Sequence, residues 1–513
     1  MSRRWRRGPA AGDVIAGVSV GLVLVPQSVA YADLAGMPPE RGLLASTIPL
    51  LVAAPLASSP YLQTGPVAVT ALLTFGALGA LAEPGSDDYV ALGLLLALIV
   101  GLVRLLLGIL RAGVIAYLMS RPMLMGFIPA AATLILCSQL PTALGADAPE
   151  GGVLGRAWWA ASHPGAWEPV SVLVSAGVLV AVLGGRRVHP LFPGVLAGLI
   201  AAGLYSEIAG YDGPTIGAIE TSLPVVSLDL PWSEFAVLLV PGTVIALVGF
   251  AEPASIARSF AAQDRTSWDA DREFVSQGAA NVAAGLTGGF PVGGSFSRSS
   301  LNRLAGARSA WSGAITGLIV LALLPTAFLL EGVPAAVLGA IVIAAAVTLI
   351  RVRPVWETWR HSRPGALIAA GTFTATLATS PHVERGVLIG IGLSVANHLW
   401  RELHIDTTVW REGGTVHVRP QGVLWFGAVQ AIEDRILGEL ARQRDADVLV
   451  LHLDGVGRLD ITAAAALRAA MDEAERAKVK VVVEGVRPAD TRLVEGVLRV
   501  RSPGTSARPR SRS

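Results

Sequence analysis

From Gly12 to Leu399 the chain passes through one apolar segment after another, each cut from the next by Pro, Gly or charge. The segments fall at about 13–34, 40–57, 65–80, 88–110, 122–144, 168–184, 190–207, 235–259, 273–290, 295–303, 309–330, 333–350, 364–380 and 383–401. Most have the length of a membrane-crossing helix. The third and tenth are too short to cross alone, and such pieces persist in a bilayer only where protein or a water-filled cavity surrounds them. Only 15% of residues are charged, against about 25% in a soluble domain. The chain therefore predicts an all-α polytopic membrane domain with soluble sequence attached. Charge density reaches soluble levels from about Trp410 onward.

Two interruptions stand out inside the apolar sequence. One is Gln63-Thr64-Gly65-Pro66-Val67, and the other runs from Phe290 through Gly293, Gly294 and Ser297 to Arg298. They occupy matching places in two halves, about 13–207 and 235–402. Paired Gly/Pro interruptions of this kind point to a transporter site built from broken helices. Arg298 sits at expected membrane depth, where a charge needs a function. Seven segments in each half place the halves in opposite orientations. Arginine supports this: with residues 1–12 inside, roughly 18 arginines fall on cytoplasmic flanks, Arg104, Arg111 and Arg272 among them. External loops hold 3, namely Arg41, Arg156 and Arg385, a strong positive-inside bias. Both termini are then cytoplasmic, in a plasma (inner) membrane. The basic N-terminus leads into a retained first helix and not a signal peptide.

Beyond the membrane domain the periods alternate. Thr415–Phe426, Val448–Leu453 and Val479–Glu484 read as strands, and Val429–Gln443 and Thr462–Ala477 as helices. This predicts a small α/β domain over about 408–500. The Arg/Ser/Pro-rich residues 501–513 read as a disordered basic tail. The single Cys137 excludes an intramolecular disulfide and a multi-cysteine metal site.

Five motifs in order resemble the sulfate-permease (SulP) anion transporter family: Pro26-Gln27-Ser28-Val29-Ala30-Tyr31, Gly42–Ser46, Gln63–Val69, Phe250–Arg258 and Phe290–Asn302. The C-terminal domain resembles a STAS domain. The resemblance implies a seven-plus-seven inverted repeat divided into core and gate domains, an elevator-like movement of the core, and a homodimer. It also implies that the third and tenth segments are half-helices whose N-termini meet near the midplane. Such N-termini offer free N–H groups and about half a positive charge each. The implied substrate-binding residues are Gln27, Tyr31, Thr64, Gly65, Phe296, Ser297 and Arg298. Gln27 and Tyr31, four apart, share a helix face; helix–helix hydrogen bonding is the plainer alternative for them. For Arg298 the alternative is a helix-end arginine like Arg303.

Glu252 is an intramembrane acid followed by Pro253, and such an acid is a functional candidate with a partner to be named. The reading pairs it with Arg298, alternating between that ion pair and a proton, so that it couples proton to anion. A pair with Arg258 is the alternative. One turn on stands Ile256, which has no oxygen for a sodium ion. In the STAS-like domain, Asp460 and Thr462 lie in the loop that is phosphorylated in some relatives, but the usual acceptor position holds Ile461. Thr462 is read as the cap of the following helix, and the pair as regulatory candidates.

No Walker loop, nucleophile elbow or HExxH is present, so the chain does not read as an enzyme, and no cofactor or metal is expected. The expected partners are an inorganic anion, a proton, the lipid bilayer and a second copy; nucleic acid is not among them. The reading is a secondary active transporter of inorganic oxyanions, with proton-coupled sulfate uptake first. Bicarbonate or dicarboxylate transport or anion exchange, a channel-like anion conductor and a STAS-mediated sensor are the alternatives.

Overall fold

The computed structural model describes residues 8–113, 120–189, 192–220, 223–350, 352–403, 406–425, 429–443, 445–487, 490 and 493–498. Two units emerge, Met1–Leu393 and Ser394–Ser513. The basic tail at 501–513 and Phe426 lie outside the described residues.

The first half of the membrane unit contains α1 (Ala11–Leu34), α2 (Pro39–Leu44), α3 (Ile48–Leu56), β1 (Thr64–Gly65), α4 (Ala68–Leu78), α5 (Asp87–Ile109), α6 (Arg121–Leu144), α7 (Val153–Ser162), α8 (Pro169–Leu179), α9 (Gly185–Val188) and α10 (Gly194–Ala209). The second half contains α11 (Phe235–Gln263), α12 (Ala270–Leu286), β2 (Gly293–Gly294), α13 (Phe296–Leu304), α14 (Trp311–Leu323), α15 (Ala336–Val347), α16 (Val352–His361), α17 (Arg363–Ala378) and α18 (Val383–Leu403). The predicted segment at 40–57 is broken into α2 and α3. The short α7 and α16 were not predicted.

Packing divides these helices into two groups, and each group draws on both halves. In the core group α5 lies against α11 and α12, α3 against α12 and α14, and α1 against α13 and α14. In the gate group α6 lies against α15 and α17, and α8 against α15. The helices begin where the sequence allows. Ser86 caps α5 by accepting from Tyr89 N–H, with Asp87 and Asp88 in the first turn, where carboxylates favour the helix dipole. Ser120 caps α6, which ends at Gly145 in the left-handed conformation (φ 60°), a normal glycine stop. Many helices are apolar on outward faces too: α10 exposes Ile200, Leu204 and Ile208, and α5 exposes Leu102, Leu106 and Ile109. A helix apolar on its outer face suits lipid.

The second unit holds β3 (Asp406–Glu412), β4 (Thr415–Leu424), α19 (Val429–Arg442), β5 (Val448–His452), β6 (Val456–Leu459), α20 (Ile461–Arg476) and β7 (Lys480–Glu484). The sheet order is β3-β4-β5-β7, with β6 also on β4. β3 and β4 form an antiparallel hairpin, and the β4–β5 and β5–β7 pairs are parallel. Alternate β4 residues Val416 and Val418 point into a core shared with Ile436, Leu451, Leu467 and Met471. β3 and β6 were missed because one is largely exposed and the other is only 4 residues long.

Candidate substrate site

The two interruptions meet. Thr64 pairs with Gly294 and Gly65 with Gly293 in an antiparallel cross-strand. Ser295 N–H donates to the Gln63 carbonyl at 3.1 Å, and Gln63 N–H donates to Ser299 Oγ at 2.9 Å. Each strand leads straight into a half-helix. α4 has 11 residues and α13 has 9, about 16 and 14 Å of helix, half of a bilayer core of about 30 Å. Gly65 has φ 141°, in the region that favours glycine. A Cβ there would stand 3.4 Å from Arg298 Nη2, so the glycine also makes room for the guanidinium.

Arg298 is 1% exposed. Nη2 donates to the Pro66 carbonyl at 2.8 Å and Nη1 to Gln27 Oε1 at 3.3 Å, while Nε has no hydrogen-bond partner. It is thus a core arginine held between α1 and the start of α4, unlike Arg303, which pairs with Asp264 at 2.6 Å. Tyr31 is buried one turn beyond Gln27 on α1. Ser295 caps α13, and its Oγ lies 3.2 Å from Ser297 Oγ. Phe296 is exposed and Ser297 half-buried. The Thr64 hydroxyl faces inward and accepts from Gln277 Nε2 at 2.8 Å. Gln27, Gly65 and Arg298 therefore meet, with Tyr31 one turn from Gln27 on α1, Thr64 behind them and Ser297 in the first turn of α13.

Glu252 departs from the expected contact. Its Oε1 accepts from Phe296 N–H at 3.1 Å, and no Glu252–Arg298 ion pair forms among the described residues. The reason is geometric: Pro253 and Gly294 bring α11 against the start of α13, and the free N–H of the first turn is nearer than the guanidinium.

Several residues that hold this site were not found from sequence. Arg104, expected on a cytoplasmic flank, is 0% exposed. It donates from Nε to Ala246 O at 3.0 Å, from Nη1 to Val292 O at 2.9 Å and from Nη2 to Ile245 O at 3.3 Å. Along α12, Glu273, Gln277 and Asn281 repeat every four residues on one face. Glu273 Oε2 accepts from Ser58 and Ser59 N–H, Gln277 holds Thr64, and Asn281 clamps both N–H and C=O of Val292. Asp13 ties α1 to the Arg308–Ser309 backbone at 2.7 and 2.9 Å. The spacing of the α12 residues was visible, but each alone reads as an ordinary polar face.

In the second unit Asp460, and not Thr462, caps α20: its Oδ1 accepts from Ala463 N–H at 2.7 Å. Asp460 has the extended backbone that a cap needs, whereas Thr462 lies inside the first turn, exposed. Trp410, His417 and His452 stack, with the ring centroids of Trp410 and His417 4.9 Å apart. His417 Nδ1 lies 3.0 Å from His452 Nε2. Burial lowers the pKa of His452 below its usual value, with Glu484 working in the opposite direction.

Fold and site together define a polytopic membrane protein in which two oppositely oriented broken helices converge beside a buried arginine. Residues 11–372 match the sulfate permease family and residues 407–497 the STAS domain. A probable sulfate transporter of Mycobacterium tuberculosis is 35% identical over 419 residues, covering 79% of this chain and 72% of the relative. The chloroplastic sulfate transporter 4.1 of Arabidopsis thaliana is 32% identical over 454 residues, covering 83% and 66%. Among solved structures, the murine anion transporter Slc26a9 in its inward-facing state superposes with a TM-score of 0.86 at 18% identity, over 96% of this chain and 88% of that one. The transmembrane domain of the cyanobacterial bicarbonate transporter BicA gives 0.64 at 24% identity, over 74% and 97%. The chain belongs to the sulfate permease family.

Proposed function

We propose that this protein is a secondary active transporter of inorganic oxyanions that takes up sulfate together with protons. The observation that carries the reading is Arg298: a guanidinium buried between two half-helix N-termini, with Nε unpartnered. Helix N-termini and a planar donor fork are both suited to an oxyanion. Gln27 holds the fork, Ser297 offers a hydroxyl at the mouth, and Tyr31 closes the α1 side. The names of the relatives from Mycobacterium and Arabidopsis favour sulfate over other anions.

Glu252 is the proton carrier of this reading. Ionised, it caps Phe296 N–H and so competes with an anion for the α13 N-terminus. Protonated, it releases that N–H and leaves Arg298 unopposed, which favours anion entry. The core group of helices moves past the gate group as an elevator, in a homodimer at the plasma membrane with both termini in the cytoplasm. Radiolabelled sulfate uptake into proteoliposomes, with and without an inward proton gradient, tests the reading. Uptake that rises with the gradient supports it; active protein that carries bicarbonate or fumarate and no sulfate rejects it.

A further inference from the structure

Arg104 has a charge without a counter-charge. All three of its hydrogen bonds go to backbone carbonyls, and no carboxylate lies within ion-pair distance among the described residues. Carbonyl dipoles satisfy the N–H groups but do not cancel the unit charge. A buried net charge is costly unless something neutralises it. Asn281 by itself holds both polar groups of Val292, so the Val292 bond does not require an arginine.

The position of the charge is informative. Val292 immediately precedes β2, four residues ahead of Phe296. A Cβ on Gly249 would lie 2.6 Å from Arg104 Nη2 and 2.9 Å from Thr70 Cγ2, and Thr70 is in the first turn of α4. The guanidinium thus sits behind the starts of both half-helices. Arg298 and ionised Glu252 sum to zero charge. Arg104 adds one positive charge behind them, so protonating Glu252 leaves two arginines facing one divalent anion. The buried Glu273 carboxyl stands eight residues along α12 from Asn281, against Ser58 and Ser59.

We propose that Arg104 is a second, fixed cation of the anion site, a positioning residue that selects divalent over monovalent anions. The proposal rests on the oxyanion reading above. Removing one charge acts on a divalent anion with twice the energy it has for a monovalent one. The fold-change for the divalent anion is therefore the square of that for the monovalent anion.

The test is uptake by full-length Arg104→Gln, Arg104→Lys and wild-type protein in proteoliposomes, with sulfate, fumarate, bicarbonate and nitrate as probes. Arg104→Gln should raise the KM for sulfate about tenfold and for a monovalent anion about threefold, the ratio set by charge alone. Arg104→Lys, which keeps the charge and loses the fork, should hold sulfate within about threefold of wild type. If Gln destabilises the protein, Arg104→Met, which removes the charge and keeps an unbranched apolar stem, should show the same divalent-selective loss. Equal losses in the Lys and Gln variants, or equal factors for both anion charges, would overturn the proposal. Wild-type protein that carries only monovalent anions overturns both this proposal and the sulfate reading. Wild-type uptake of fumarate without sulfate rejects sulfate alone, and the same square relation with fumarate then decides Arg104.

Discussion

At the scale of single residues, the site depends on who holds each donor. Glu252→Gln keeps an oxygen for Phe296 N–H but cannot take a proton. Sulfate uptake by this variant should persist while its stimulation by a proton gradient disappears; retained stimulation in vesicles would reject the coupling role. Arg298→Lys keeps the charge but loses the planar fork that reaches Pro66 and Gln27 at once, so uptake should fall at least about tenfold, the cost of one charged hydrogen bond. Radiolabelled uptake measures this directly. Arg298, Gln27 and Tyr31 were legible in sequence because each is a polar residue stranded in apolar surroundings. Arg104 was not, because an arginine five residues from a helix end looks like a flank. The Glu252 contact was misread for a different reason: sequence names charges, whereas the carboxylate went to an uncharged backbone N–H.

Elements show which parts of the fold periodicity can reveal. Long apolar runs gave α1, α5, α6 and α11 within a few residues, since length and hydropathy alone set a span. The half-helices were legible as short segments between Gly/Pro breaks. The cross-strand of β1 and β2 was not, because two-residue strands leave no period to read. The polar stripe of α12 fastens that cross-strand to the core. Asn281→Leu should leave Val292 N–H unpaired and cost about 2 kcal/mol, seen as a lower thermal midpoint of the detergent-purified protein; an unchanged midpoint would show that the clamp is dispensable. In the second unit, Asp460→Ala removes the cap of α20 and should cost about 1 kcal/mol, while Thr462→Ala should cost little. Hydrogen exchange of peptides within α20 distinguishes the two.

Over the whole molecule, the two units answer to different physics. The membrane unit is apolar on its outer faces and keeps charges such as Arg104 and Arg298 buried around the cross-strand, while the second is an ordinary α/β domain with a titratable stack. His452 in that stack has a lowered pKa. As pH falls through the usual histidine value of about 6.5, the unfolded chain takes up a proton that the folded domain resists. Stability is therefore present above that pH and is lost on acidification. Exchange of the Val448–His452 peptides should speed up between pH 7 and 5.5 beyond the intrinsic effect, and His452→Gln should flatten the change; a flat wild-type profile would count against it. The cross-strand has its own consequence for biosynthesis. Pro66 and Arg298 are 232 residues apart, and loop closure makes such distant pairings slow. When the first half enters the membrane, the Pro66 carbonyl still lacks its Arg298 donor, which is translated 232 residues later. The candidate site therefore cannot assemble until the second half is under way, and its cross-strand bonds form only when the two halves meet.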